Sequence, residues 1–111
     1  MREHVKEYLK KYVEKFEELN LANIEALVLF GSQARGSATI SSDVDIAVVM
    51  GKPLDVESRG HLRCLGEEIN PNIEANLFFT TRDALRSPNH HFDTNTHIKR
   101  EGVILWGELA I

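Results

Sequence analysis

From Ile24 to Phe30 the chain carries a single polar side chain, Glu25, and Gly31 then stops the run. A stretch so apolar suits a strand buried on both faces. A short buried helix is the alternative, but a glycine at the exit favours the strand and a sharp turn out of it. The residues just beyond are polar and specific in type: Gly31-Ser32-Gln33-Ala34-Arg35-Gly36, then Ser42-Asp43-Val44-Asp45.

The remaining pattern fills in around this run. Residues 2–19 read as a helix, because Val5, Leu9, Tyr12, Val13, Phe16 and Leu19 recur at three- and four-residue steps while Lys6, Lys10, Glu14 and Glu17 take the opposite face. A short helix is expected from Ser32 to near Gly36, and a polar loop over 37–42. A second strand runs from Asp43 to Met50 and ends at Gly51-Lys52-Pro53. Asp55 is placed to cap a helix reaching about Glu68, with Leu62, Leu65 and Ile69 inward. After the turn at Asn70-Pro71-Asn72, Ile73 to Thr80 read as a third strand. Residues 82–95 suggest a short helical piece and a breaker at Ser87-Pro88-Asn89. A last helix covers about 94–101, and Val103 to Trp106 read as a terminal apolar patch. This order implies one domain spanning 1–111, of the α/β (α+β) class, with helices around a small mixed sheet.

At 111 residues there is room for one compact domain and little more. Such a domain buries a modest fraction of its surface, so a partner or a second copy is an expected complement. The formal net charge of −4 argues against tight, sequence-independent binding of nucleic acid. Cys64 is the only cysteine, so no intrachain disulfide and no cysteine-rich zinc site can form. No apolar run reaches the roughly 18 residues of a membrane span. A cytoplasmic protein is expected.

The glycine-serine pair and the two aspartates carry the chemistry. Gly31 can adopt a backbone shape closed to other residues and lets an anion approach the main chain. Ser32 would then open a helix, with its hydroxyl and nearby N–H groups pointing together at a phosphate. Arg35, a turn later, could face a phosphate or a carboxylate. No Gly-Lys-Ser/Thr comes after it, so this is not a Walker A loop. A plain helix start with no ligand is the bland alternative. Asp43 and Asp45 are two apart on a strand and share one face. Two carboxylates so close repel unless a cation or protons intervene, and magnesium, which prefers oxygen ligands, suits them. Glu74 sits near the start of the third strand, and Asn76 shares its face. If that strand lies beside the second, Glu74 could complete the cluster, or it could be a surface charge; Asn76 is a poorer ligand and cannot act as a base.

Gly31-Ser32, Ala34-Arg35-Gly36 and Ser42-Asp43-x-Asp45 together resemble the minimal nucleotidyltransferases of the DNA polymerase beta-like superfamily. The likeness extends to Arg100-Glu101-Gly102-Val103-Ile104-Leu105-Trp106 and so covers nearly the whole chain. It implies a nucleotidyltransferase core in which Gly31 and Ser32, with Arg35, grip ATP phosphates, and Asp43 and Asp45 bind magnesium. The third family carboxylate, usually aspartate, would fall on Glu74 or on the place held by Asn76. Members of this type act as antitoxins beside HEPN-type toxin partners, some by transferring AMP to a tyrosine of the partner. The resemblance therefore implies a protein adenylyltransferase, or a catalytically weak antitoxin that neutralises its partner by binding alone.

Other residues carry weaker signals. His90, His91, Asp93 and His97 match no strong zinc spacing. His61 and Cys64 lie a helical turn apart, and Cys64 is expected to be a small buried apolar group. Tyr8, Tyr12 and Phe16 share a stripe that suits core or interface.

Overall fold

The structure, a computed structural model, describes residues 1–87 and 93–109; His90 and His91 fall outside them. In chain order it comprises α1 (Glu3–Leu19), β1 (Ile24–Phe30), α2 (Ser32–Arg35), β2 (Val44–Met50), α3 (Val56–Ile69), β3 (Ala75–Thr81), α4 (Arg82–Arg86), α5 (Thr94–Glu101) and β4 (Val103–Gly107). The sheet order is β3-β2-β1-β4. β1 pairs antiparallel with β2 and with β4, while β2 and β3 run parallel across the α3 crossover. The sheet is therefore mixed, as the element order implied.

The apolar run of β1 is explained by its central place. Ala26, Leu27, Val28 and Leu29 are all fully buried. Leu27 and Leu29 point into one core with Val44, Ile46 and Val48, closed by Val5, Leu9, Tyr12 and Phe16 of α1 and Leu62 and Leu65 of α3. Ala26 and Val28 point the other way, to Ala47, Val49, Leu85 of α4 and Ile98 of α5. Strand alternation thus feeds two cores, one on each face of the sheet.

Polar details lock the layers. The Tyr12 hydroxyl donates to the Leu62 carbonyl at 2.8 Å, a buried bond joining α1 to α3. Burial pushes the Tyr12 hydroxyl above its ordinary pKa, with Tyr8 beside it adding to the shift. Asp55 caps α3 by accepting from the Ser58 N–H at 2.7 Å. Thr81 caps α4 through Ala84, and Asp93 caps α5 through Asn95. Gly102 turns α5 into β4 where a Cβ would meet both the Ile98 carbonyl and Val28 Cγ1 at 2.5 Å.

Three expectations are corrected. The residues read as a terminal patch form β4, an edge strand on β1, and Trp106 meets the Phe16 ring edge-on at a centroid distance of 4.8 Å. Cys64 is exposed on α3 rather than buried; the inward positions of that helix go to Leu62 and Leu65. The third strand starts at Ala75, not Ile73. The Asn70 side chain accepts from the Asn72 N–H at 2.9 Å and the Ile73 N–H reaches the Asn70 carbonyl at 3.2 Å, so the turn extends through Ile73. None of the described helices is long and apolar enough to cross a membrane.

Candidate active site

The site forms where β1 ends and β2 begins. Because the two strands are antiparallel, Phe30 pairs with Asp45, and the next residue on β1, Gly31, lies against the Asp45 side chain. Gly31 adopts φ 76°, ψ −157°, a combination essentially restricted to glycine. A Cβ built there would overlap Asp45 Oδ2. Two independent constraints, backbone shape and space, therefore require glycine at the bend.

α2 begins immediately after. It is one turn long, with the Arg35 N–H bonded to the Gly31 carbonyl at 3.1 Å and Gly36 left-handed at its end. Gln33 is buried, and its side-chain amide donates to the Ser42 carbonyl at 3.4 Å, tying the helix to the residue before Asp43. A tight turn closes the intervening loop: the Ser42 N–H donates to the Thr39 carbonyl at 3.1 Å and the Thr39 N–H to Ser42 Oγ at 2.8 Å. These bonds fix how Asp43 enters β2. Arg35 reaches across the fold and pairs with Glu101 at 2.9 Å, so of the two partners open to it, it meets a carboxylate here.

Asp43 and Asp45 face the same way, as their spacing implied. Asn76 sits between them. The parallel register sets it directly opposite Asp45, and its Nδ2 lies 3.2 Å from Asp43 Oδ2 and 3.3 Å from Asp45 Oδ1. Glu74 lies just before β3, exposed, its carbonyl accepting the Val44 N–H at 2.9 Å. With Asp43 it lines a cleft of about 360 Å³ whose walls include His4, Ile40, Ser41 and Asn72. Among the described residues, no three His, Cys, Asp or Glu side chains gather in an arrangement that could hold a metal ion. The structure thus sets Gly31 against Asp45, joins Asp45 to Asp43 through Asn76, and leaves Glu74 at the rim. Gln33 and Glu101 lie within the quoted motifs, but no local pattern signals their contacts: one bonds a main-chain carbonyl and the other a side chain distant along the chain.

Two oxygen-only carboxylates bridged by an amide suit a single magnesium ion. Such an ion is commonly held by one or two carboxylates, the remainder of its shell being substrate phosphate and water. Residues 3–107 match the family described as polymerase beta, nucleotidyltransferase. The chain belongs to that family.

Structural likeness agrees with this membership. A chain from a toxin-antitoxin complex with AMP-PNP is 26% identical, with 87% of this chain and 72% of that one covered and a TM-score of 0.60. A chain from the Shewanella oneidensis complex of a tri-AMPylated HEPN toxin with an MNT antitoxin is 23% identical, covering 93% and 72%, at TM-score 0.59. One from the MntA-HepT toxin-antitoxin is also 23% identical, covering 93% and 73%, at 0.58. At that identity the latter two speak for the nucleotidyltransferase fold alone. No curated protein sequence matches the chain.

Proposed function

We propose that this chain transfers AMP from ATP to a hydroxyl, a tyrosine, of a HEPN-type partner, and so serves as that partner's antitoxin. The observation that carries the reading is the packing of the Gly31 bend on the Asp45 carboxylate. It brings an anion-accepting turn and a cation-holding pair into one place, as a bound nucleoside triphosphate requires. The toxin-antitoxin relative with AMP-PNP supports both nucleotide and partner. The resemblance in motifs supplies the acceptor class, and the toxin of the Shewanella complex carries AMP.

In this reading Gly31 and the N–H groups opening α2 receive the β- and γ-phosphates, with the Ser32 hydroxyl beside them. Asp43 and Asp45 would hold magnesium, which when bound supplies positive charge against the α-phosphate oxygens and the departing pyrophosphate. The acceptor enters by the cleft that Asp43 and Glu74 line. Its oxygen attacks the α-phosphorus, the bond to the β-phosphate oxygen breaks, and pyrophosphate leaves. Glu74 takes the hydroxyl proton, directly or through water.

Incorporation of labelled AMP into a co-expressed partner tests the reading. Asp43→Asn and Asp45→Asn should each abolish labelling while leaving the circular dichroism spectrum intact; full labelling by both would reject the site. A second reading, a binding-only antitoxin, is favoured by one observation: the side chain that bridges Asp43 and Asp45 is the neutral amide of Asn76, not a third carboxylate. Neutralisation of the partner that proceeds equally without ATP and magnesium would select it.

A further inference from the structure

The geometry points to Asn76 as the residue that closes this site around a single divalent cation, its amide bracing Asp43 and Asp45 in the place where a second cation would need a charged ligand. The inference rests on the nucleotidyltransferase reading above and concerns how many ions that site takes.

The bracing comes from the hydrogen bonds. Ionised carboxylates only accept, so the nitrogen side of the amide must face them, and its two N–H groups serve Asp43 at 3.2 Å and Asp45 at 3.3 Å. Two like charges on neighbouring positions of one strand face otherwise repel. The amide offsets that repulsion before any ion arrives, so the pair is formed in advance. The contact is also built into the sheet, since the parallel ladder seats Asn76 opposite Asp45 through seven successive pairs from Val44–Ala75 to Met50–Thr81.

The limit on cation number comes from charge. Two-metal sites set their ions about 3.5–4 Å apart and need anionic oxygens to offset the repulsion between them. Here the acids supply two such groups. Asn76 contributes N–H donors, or, with its amide turned over, one neutral carbonyl oxygen. Glu74 is two residues back along the chain, exposed and outside the acid pair, and no third carboxylate joins the pair among the described residues.

Two measurements on the full chain test this. Manganese is titrated with a non-hydrolysable ATP analogue and counted by electron paramagnetic resonance. The natural chain should bind one Mn²⁺ per nucleotide, Asn76→Ala one, and Asn76→Asp two. Two ions on the natural chain overturn the inference while leaving the nucleotidyltransferase reading standing, and so does one ion on a folded Asn76→Asp. Binding of neither ion nor analogue by the natural chain, with Asp43→Asn indistinguishable from it, overturns the underlying reading instead. Thermal unfolding in chelator and in magnesium supplies the second readout. Asn76→Asp should lose stability in chelator and recover with magnesium by a visibly larger shift in Tm than the natural chain shows; equal shifts would overturn the bracing role.

Discussion

Gly31 is the residue with least freedom to change. A side chain there must both adopt a glycine-only conformation and displace the Asp45 carboxylate. Gly31→Ala is expected to destabilise the fold by about 1–3 kcal/mol from backbone strain alone, measured by urea denaturation, and to abolish nucleotide binding, measured by calorimetry. Arg35 makes the opposite case. Its ion pair with Glu101 leaves the arginine side chain nearly half exposed, and exposed pairs contribute about 0–1 kcal/mol. Arg35→Ala should therefore change stability by less than about 1 kcal/mol. If Arg35 turns to the triphosphate, as the sequence reading expects, the same variant should weaken ATP-analogue binding about tenfold, about 1.4 kcal/mol; an unchanged affinity assigns the residue to the Glu101 pair alone.

At the scale of elements, the α3 cap makes a pH prediction. Hydrogen bonds from the Ser58 side chain and N–H hold the Asp55 carboxyl below the usual carboxylate range. A group whose folded pKa is depressed adds stability above its unfolded pKa, near 3.9. That stability is lost as pH falls through the lower, folded value. Asp55→Asn should thus narrow the difference in Tm between neutral pH and about pH 3, as read by thermal melts across that window. The elements also show what local sequence conveys. β1, β2, α1 and α3 are legible because their apolar spacing matches one structural period, and the bend is legible because glycine punctuates it. β4 is not, because a short apolar run shows no partner until β1 is seen beside it. Asn76 is ambiguous for the same reason: its place between the acids depends on the register of strands some thirty residues apart, which no local pattern encodes. Cys64 misleads because a small apolar side chain is equally tolerable on the outer face of a helix.

For the molecule as a whole, the sheet divides the interior into two cores that share strands and little else. Leu62 lies in one and Ile98 in the other. Leu62→Ala should cost about 2–5 kcal/mol and Ile98→Val about 0.5–1.5 kcal/mol. The double variant should equal the sum within about 0.5 kcal/mol, since neither cavity has the other as a wall; a larger departure, measured by chemical denaturation, would mean the two faces communicate. The same layering positions the site, because its bend and acids sit at the mouth of strands held from both sides. The roles of Ser32 and Glu74 belong to the proposal, whereas the contact of Gly31 with Asp45 and the bridge from Asp45 through Asn76 to Asp43 are geometry. The antiparallel return of β4 onto β1 has a consequence for biogenesis. While the ribosome still encloses residues 103–107, the strand leading into the Gly31 bend has a neighbour on one side only. Completion of the sheet beside that bend is thereby deferred until residues 103–107 have emerged, and a nascent chain stalled before that point would present the naked flank of its most hydrophobic strand to chaperones.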